Sequence, residues 1–399
     1  MTTASSRPVP VRRRPANRRQ QITTAAGDLF AERGYHNVSL AEVAAVVDIT
    51  APSLYRHFRN KHDLLRAVVH ASMEGTDEMV SATGSIEALL KAFAARCLDR
   101  RSAPILWQRE SRHLADSDRA ELWDELTLIE SKVSELIRRR RPELSPDDAR
   151  LLAWATTSIY SSVSFHRVTI PRRAYERLLV SLGESVVSCD LYGPGGEPEN
   201  APERPPAPAI EGFPSSMRET LLNEAVRLFD QRGFRSVSTD DIGAAVGTSG
   251  PNIYKHFTTK TELLEAAVLR AGERRRSATS EALVRAQDPA DLLGRLVDSY
   301  VGFAIENSHL LGVLVSELDQ LPEVQRRASR QSQRDFLALW VGVLTQDRPE
   351  LDPKVAKITV LATLAVVDNV VRTPPLSARP DLAARLSRIC LALLENPHA

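Results

Sequence analysis

Two short stretches of the chain carry a similar set of hydrogen-bonding side chains at the same spacing. The first reads TAPSLYRHFRNK over residues 50–61, and the second reads SGPNIYKHFTTK over residues 249–260. Each combines hydroxyls, a tyrosine, a histidine and cationic side chains, which suit the base edges and phosphates of nucleic acid. The chain contains no GxSxG, HExxH, phosphate-loop or dinucleotide-binding pattern, so catalysis is not expected.

Helix signals surround both stretches. Ser39 precedes LAEVAAVV and has Glu42 three residues later, a capping box that predicts a short helix. Thr50 is placed to cap a second short helix after a tight break. In the second copy, Ser238 or Thr239 precedes a similar helix. Two short helices joined by a turn and braced by a preceding helix form a helix-turn-helix, whose second helix enters the major groove of DNA.

We expect the first residues of that second helix to meet base edges, and the lysine that begins the next helix to meet a phosphate. An arginine-rich N-terminal arm is expected to add phosphate contacts, although a basic tail without this role is the alternative. The predicted DNA contacts are Arg12, Arg13, Arg14, Thr50, Ala51, Ser53, Tyr55, Arg56, His57, Lys61, Ser249, Gly250, Asn252, Tyr254, Lys255, His256 and Lys260.

The chain as a whole is duplicated. An offset of 199 aligns residues 18–69 with 217–268 without a gap, and 19 of these 52 pairs are identical. RPEL recurs at an offset of 207, and residues 192–214 hold seven prolines and four glycines, typical of an extended linker. The predicted segments are a basic disordered arm (1–17), a first helix-turn-helix domain (18–69), a first helical regulatory domain (70–191), the linker (192–214), a second helix-turn-helix domain (215–268) and a second helical regulatory domain (269–399).

The pattern LYRHFxxKxxLL, with the preceding LFAERGYHNVSLAEVAAVVDI, resembles the signature of the TetR (tetracycline-repressor) family of bacterial regulators. The resemblance covers about 50 residues in each half. It implies an all-α fold of two tandem units, each a helix-turn-helix head plus a helical bundle, packed as an intramolecular pseudo-dimer. It also implies a double-stranded DNA operator and no cofactor or metal. The family consists mostly of repressors; an activator, or a helical scaffold without specific DNA binding, is the alternative.

The two heads differ in chemistry. Ser53 matches Asn252, and Arg56 matches Lys255, so the halves are expected to prefer different bases and an asymmetric operator. Residues 18–69 carry seven Lys/Arg against five acids, whereas residues 217–268 carry six against seven. The first head is therefore expected to dominate phosphate affinity. A monomer acting as a pseudo-dimer is expected, with a homodimer as the alternative.

A ligand pocket is expected inside each helical bundle. The layout is similar to that of tandem actinobacterial regulators of lipid, steroid or mammalian-cell-entry operons, which implies a fatty acyl, acyl-CoA or sterol-like effector. For the aromatic candidates, the alternative is that they are ordinary core residues. For the two glutamates, the alternative is that they form a shared structural buttress. The candidate pocket residues are Trp107, Arg109, Glu110, His113, Tyr160, Phe165, His309, Glu317, Asp319 and Asn369.

Composition fits a globular protein, with 43% hydrophobic and 26% charged residues and a net charge of +1. The three cysteines are far apart, which predicts reduced core residues rather than a disulfide or metal site. No apolar run is long enough for a signal peptide or a membrane span, and a cytoplasmic location is expected.

Overall fold

The computed structural model describes residues 18–193 and 216–395, and helices are the regular elements of these residues. The arm with Arg12, Arg13 and Arg14 lies outside them, as does most of the predicted linker. The α-helices are α1 (Arg18–Arg33), α2 (Leu40–Val46), α3 (Ala51–Tyr55), α4 (Lys61–Met73), α5 (Thr76–Ala82), α6 (Ile86–Asp99), α7 (Ala103–Gln108), α8 (Asp116–Arg140), α9 (Pro146–Ser162), α10 (Arg172–Val187), α11 (Met217–Arg232), α12 (Thr239–Ala245), α13 (Gly250–Ile253), α14 (Lys260–Arg285), α15 (Pro289–Glu306), α16 (Ser308–Ser316), α17 (Glu323–Asp347), α18 (Pro353–Val370), α19 (Pro374–Ser377) and α20 (Leu382–Glu395).

Each head is a three-helix unit that continues into the first helix of its bundle. The Ser39 hydroxyl accepts the N–H of Glu42, and the Glu42 carboxylate accepts the N–H of Ser39 at 2.7 Å, which confirms the capping box. Ser238 makes the same reciprocal pair with Asp241, so Ser238 is the cap of α12 and Thr239 is not. Both heads therefore fix their second helix by the same local device.

Apolar residues in α3 and α13 and in the turns that follow them hold these helices onto the rest of the head. Leu54 and Phe58 in the first head, and Ile253 and Phe257 in the second, are at most 2% exposed. They pack with the buried faces of α1 and α11. Full burial of side chains of this size contributes about 1.5–3 kcal/mol each, and it leaves the opposite faces of α3 and α13 toward solvent.

The two bundles differ where they leave their heads. In the first unit, α4 ends before Gly75, whose positive φ of 73° is the left-handed conformation that glycine adopts without strain. The offset of 199 places Arg274 at the corresponding position, and the single 26-residue helix α14 runs through it. One glycine thus separates α4 from α5, while the second unit keeps one long helix.

Four helices join the two units. Helices α9 and α18 pack against each other and are apolar and buried on most of their surface, while α10 and α20 complete the bundle. This arrangement agrees with the expected intramolecular pseudo-dimer. Asn369 donates to Ser161 at 3.2 Å, and Arg379 donates to the buried carboxylate of Asp148 at 2.8 Å. None of the described helices meets the length and hydropathy required to cross a membrane.

Residues at the start of the predicted linker belong to the packed first unit. The Tyr192 hydroxyl donates to Asp148, and the guanidinium of Arg385 lies 3.8 Å from the centroid of the Tyr192 ring. Arg385 also donates to the carbonyl of Leu191 at 3.0 Å. The packed first unit therefore includes Leu191 and Tyr192, and an arginine of the second unit holds both residues.

We expect Asp148→Ala to lower the free energy of unfolding by about 2–3 kcal/mol, because the buried carboxylate accepts charge-assisted bonds from Arg379 and Tyr192. Asp147→Ala is the matched control: it lies in the same first turn of α9 but is exposed, so we expect a loss below about 1 kcal/mol. Urea unfolding of both variants measures the difference. Equal losses would show that the Asp148 network does not stabilise the contact between the units.

Candidate nucleic-acid interface

The exposed face of α3 and α13 carries most of the predicted base-contacting residues. Tyr55 and Tyr254 are each 53% exposed, although Leu54 and Ile253 beside them are buried. The other predicted contacts on these helices, Gly250 apart, are exposed or partly exposed: Thr50, Ala51, Ser53, Arg56, His57, Ser249, Asn252, Lys255 and His256. Both heads thus present a polar helix face around one large, solvent-exposed aromatic ring, as a groove-reading helix requires.

Gly250 does not belong to this face. It is buried, and a Cβ atom at this position would lie 1.9 Å from a carboxylate oxygen of Asp240. A Cβ atom on Gly243 would lie 2.9 Å from the backbone nitrogen of Gly250. The pair of glycines allows α12 and α13 to approach closely. The prediction of a base contact is corrected accordingly: Gly250 serves the packing of the turn.

Hydrogen bonds within each recognition helix already restrain its polar side chains. The hydroxyls of Thr50 and Ser53 lie 3.1 Å apart, and the Asn252 amide donates to Thr248 at 2.9 Å. Each side chain keeps further hydrogen-bonding capacity, since a hydroxyl and an amide make more than one bond. The base contacts themselves stay a prediction, but Ser53 and Asn252 present different chemistry at the same position of the two heads.

Lys61 and Lys260 have structural contacts that the sequence did not reveal. The Lys260 ammonium donates to the carbonyls of Phe234 and Val237 at 2.8 and 2.7 Å and lies 4.3 Å from the Phe234 ring centroid. The Lys61 ammonium lies 4.3 Å from the ring centroid of Tyr35. Burial lowers the pKa of both lysines. Both lysines fasten the start of the helix after the recognition helix, α4 or α14, to the turn that follows the first helix of the head. Their phosphate contact stays a prediction.

Arg19 and Arg218 are residues of the heads that the predicted contacts omitted. Arg19 donates to the carbonyl of His57 at 2.6 Å, and its guanidinium lies 4.3 Å from the Phe58 ring centroid. Arg218 lies 4.2 Å from the centroid of Phe257 in the second head. Both arginines support the end of the recognition helix. The offset of 199 aligns Arg19 with Arg218, and this shared arginine was the sequence signal that could have identified both residues.

Glu110 and Glu317 form the shared structural buttress, and with Arg109, His113 and Asp319 they also line a small cavity of about 30 Å³ where the two units meet. Glu110 accepts the N–H of Tyr35 at 2.9 Å, and Glu317 accepts the N–H of Phe234 at 3.2 Å. Both carboxylates are buried, and each holds the turn after the first helix of its own head. Arg109 adds to the first buttress by donating to two carbonyls at the C-terminus of α1. Each bundle thereby holds its own head through a hydrogen bond to one buried carboxylate.

Residues that follow α7 in the first unit also contact the second unit close to the two buttress glutamates. Arg112 donates to the Ser316 hydroxyl and to the Glu317 carboxylate, both at 2.6 Å. His113 lies under Gly233, where a Cβ atom would come within 2.8 Å of the imidazole. An offset of 207 replaces Arg112 by Asp319, which pairs with Arg330 instead. We term this contact between Arg112 and Glu317 the head junction. It is asymmetric, because the second unit has an aspartate at the position of Arg112.

Two of the remaining pocket candidates come together, and the other three lie apart from them. Trp107 and Tyr160 line a cavity of about 100 Å³ in the first bundle, while Phe165 is 41% exposed. His309 Nδ1 lies 2.8 Å from the Asp230 carboxylate, at the contact between α11 and α16. Asn369 lies between the two units, on Ser161. The cavity also contains Glu130, a buried carboxyl that the candidate set missed.

Comparisons with known proteins agree with the two heads. The family profile described as "Bacterial regulatory proteins, tetR family" matches residues 22–68 and 221–267. The transcriptional repressor KstR2 of Mycolicibacterium smegmatis is 28% identical over 110 residues, 26% of this chain and 54% of that protein. The transcriptional activator FasR of the same organism is 37% identical over 57 residues, 14% of this chain and 26% of that protein. The chain thus spans about half or less of the length of these relatives.

A solved structure, the ketosteroid transcriptional regulator KstR2 of Mycobacterium tuberculosis, aligns with 47% of this chain and 98% of its own, at 19% identity and a TM-score of 0.41. A TetR-family transcriptional regulator from Bordetella parapertussis aligns with 44% of this chain and 93% of its own, at 21% identity and a TM-score of 0.40.

We expect acid to weaken the fold through His113. Burial, and next the charge of Arg112, lowers its pKa to about 2. The unfolded histidine, with a pKa near 6.5, takes up a proton that the folded one does not, so stability present above pH 6.5 is lost as the pH falls. At pH 5 the loss from this residue is about 2 kcal/mol relative to pH 7.

Urea unfolding at the two pH values measures this loss. The His113→Gln variant carries the residue that the second unit has at this position, and we expect it to lose correspondingly less stability between pH 7 and pH 5. Identical pH dependence in the variant and the parent chain would contradict the assignment to His113.

Proposed function

Because the chain belongs to the TetR family of bacterial regulatory proteins and carries two of its helix-turn-helix segments in tandem, we propose that one polypeptide sets two unlike heads on one double-stranded DNA operator. Family membership makes it a DNA-binding transcriptional regulator and not an enzyme. The observation that carries the proposal is the equal 53% exposure of Tyr55 and Tyr254 on recognition helices whose opposite faces are fully packed.

The contact between the units supports the use of both heads by one chain. Helices α9 and α18 cover each other's apolar surface, and α10 and α20 close the bundle. The head junction adds the bond from Arg112 to Glu317, which itself holds the second head through Phe234. Two heads fixed relative to one another can address successive major grooves, roughly 34–36 Å apart, without a second chain.

The proposed operator is asymmetric. Asn252 suits a bidentate contact to adenine, whereas Ser53 at the matched position has a single hydroxyl. Arg56 presents a planar fork that suits guanine or phosphate, and Lys255 presents a point charge. The first head has the more basic composition and is proposed to supply more of the phosphate affinity.

Repression relieved by a hydrophobic, lipid-like effector is the proposed mode of regulation. A ligand that fits only one arrangement of the heads lowers DNA affinity by its differential affinity for the two arrangements. Similarity to a repressor, KstR2, supports this sign of regulation, while similarity to the activator FasR makes activation the second candidate. A reporter gene placed behind the captured operator distinguishes the two: its expression rises on deletion of a repressor and falls on deletion of an activator.

Capture of fragmented source DNA by the purified chain tests the operator proposal. We expect a motif with two unlike halves about one helical turn apart. Tyr55→Ala is expected to weaken binding to that motif at least tenfold, about 1.4 kcal/mol, and more than Tyr254→Ala does. The tyrosines are preferred to Lys61 and Lys260, whose replacement would also disturb the heads.

A palindromic motif would contradict the single-chain arrangement, because two chains would then supply identical heads. Equal losses for the two tyrosine variants would contradict the dominance of the first head. Failure to enrich any fragment would leave the helical scaffold as the better description.

The basic arm has its own test. We expect removal of residues 1–17 to lower the slope of log affinity against log salt by about 0.9 for each phosphate that the arm neutralises. The deletion stops before Arg18 and Arg19, since these donate to the head carbonyls of Val47 and His57. Binding to the captured operator over a salt series gives the slope. An unchanged slope would mean that the arm neutralises no phosphate.

A further inference from the structure

The outer surfaces of the two bundles carry opposite charge. In the first bundle, residues 74–82 and 116–135 cover α5, the two residues before it and most of α8, and they contain ten acids and two bases. The offsets of 199 and 207 place residues 273–281 of α14 and 323–342 of α17 at the same positions, and these contain four acids and seven bases. We call the two surfaces the acidic face and the basic face. Each set has one buried member, Glu130 in the first and Arg275 in the second.

The reversal of charge falls on corresponding positions of two equivalent helices. Helices α8 and α17 have the same bounds at the offset of 207, so their residues match one to one. The partly or fully exposed acids of α8 that become uncharged residues in α17 are Asp118, Glu121, Asp124 and Glu125. The exposed arginines of α17 that stand where α8 has uncharged residues are Arg327, Arg330 and Arg334. The helix has kept its length while its outer charge has changed sign.

Like charges lie close together on each face, which costs stability. Burial raises the pKa of the Glu125 carboxyl, and neighbouring acids of α5 and α8 raise it further, while His70 opposes them. On α17, Arg326, Arg330 and Arg334 follow one another at intervals of four residues, a spacing at which like charges destabilise a helix. Charges kept at this cost favour a role in binding a surface of opposite charge.

The chain neutralises only part of each face. On the acidic face, Arg66 pairs with Asp118 at 3.2 Å. On the basic face, Glu323 pairs with both Arg326 and Arg327. The charged residues of the two faces that form no ion pair among the described residues include Glu78, Asp124, Arg276 and Arg334. These charges remain available to a partner.

Each face also exposes an apolar side chain that the other face lacks. Leu128 is 51% exposed and lies one helical turn after Asp124, on the same side of α8. Val324 is 77% exposed in the first turn of α17. The matched residues are Asp335 and Ser117. Because apolar burial drives association while charges select the partner, each face combines both requirements of a docking surface.

The two faces lie on opposite sides of the molecule. Helix α8 packs on α9 and α17 packs on α18, while α9 and α18 pack on each other between them. One chain therefore cannot bring its own two faces together. A second copy of the chain offers each face a surface of opposite charge built on a helix of the same 25 residues. Nucleic acid is the other possible partner of the basic face, but as a polyanion it would leave the acidic face without one.

We propose that the basic face of one chain docks on the acidic face of a second copy, so that chains associate in an open series. The contact is heterologous, because each chain uses different surfaces toward its two neighbours. The inference goes beyond the proposed function and does not depend on operator binding. On DNA, chains joined in this way would point in one direction, so neighbouring operators are expected as direct repeats rather than as palindromes.

Sedimentation velocity of the purified full chain, without DNA, tests the association. We expect the weight-average mass at about 0.05 M salt to exceed that of one chain and to rise with protein concentration. At about 0.5 M salt the chains should separate, because dissolved ions screen charges at the surface. Single chains at low salt up to about 0.1 mM protein, or equal association at both salt concentrations, would overturn the inference.

A charge exchange between two variants tests which surfaces meet. Glu78→Lys with Asp124→Lys adds positive charge to the acidic face, and Arg276→Glu with Arg334→Glu adds negative charge to the basic face. Each double variant alone should associate at least about tenfold more weakly than the parent chain, because both of its faces then carry more of the same charge. An equimolar mixture of the two variants should associate again, since the faces of one then attract those of the other.

A control variant separates the faces from net charge. Glu143→Lys with Asp147→Lys changes the net charge by the same amount as the acidic-face variant. Both residues are exposed and lie outside the two faces, between the end of α8 and the first turn of α9. We expect this variant to associate as the parent chain does. Thermal unfolding checks that all variants are folded, and the four residues exchanged on the faces form no ion pair among the described residues.

Unchanged association in both face variants, an equal loss in the control variant, or a mixture that stays dissociated would overturn the inference. If Arg276→Glu with Arg334→Glu instead weakens binding to non-operator duplex DNA and leaves self-association unchanged, the basic face binds nucleic acid and the inference is also wrong. Because association is measured without DNA, its absence leaves the proposed function in place. Failure to capture an operator likewise leaves the docking of chains untouched.

Discussion

The mutual burial of α9 and α18 is the constraint on which the remaining structure depends. Each helix is apolar around most of its surface, so neither can face water in a separate unit. Two polar pairs cross the contact, Asp148 with Arg379 and Ser161 with Asn369. Apolar burial supplies the free energy of association, and these directional pairs favour one register over others. The fixed register in turn brings the two heads to the same end of the molecule, where Arg112 can reach Glu317.

Duplication has preserved scaffold chemistry and changed recognition chemistry. The capping serines, the buried residues beneath the recognition helices and the two buttress glutamates recur in both units with the same contacts. The differences fall on groove-facing positions, on the head junction and inside the bundles. Such a division is expected when two copies share one chain, because a symmetric dimer cannot change one recognition surface without changing the other.

The heads were predictable from sequence, since capping, helix periodicity and burial of Leu54 and Phe58 are local properties. The pocket was not, because helix periodicity does not show which helices enclose a space. The candidate set therefore included Glu317 and Asn369, which hold a head and join the units. Glu130 was missed as an ordinary helical acid, although it falls on the apolar stripe of Leu126, Ile129 and Val133. An acid within a buried stripe, replaced by leucine in the duplicate, was the available signal.

The head junction makes the position of the second head depend on a residue of the first unit. Arg112 follows α7 in the chain, and it binds the carboxylate of Glu317, which positions the second head. Burial raises the pKa of Glu317, and the charge of Arg112, a residue of the first unit, opposes that rise. Movement of α7 would weaken this pair, and a buried carboxylate left without its cation is costly. The second head therefore depends electrostatically on a cation of the first unit.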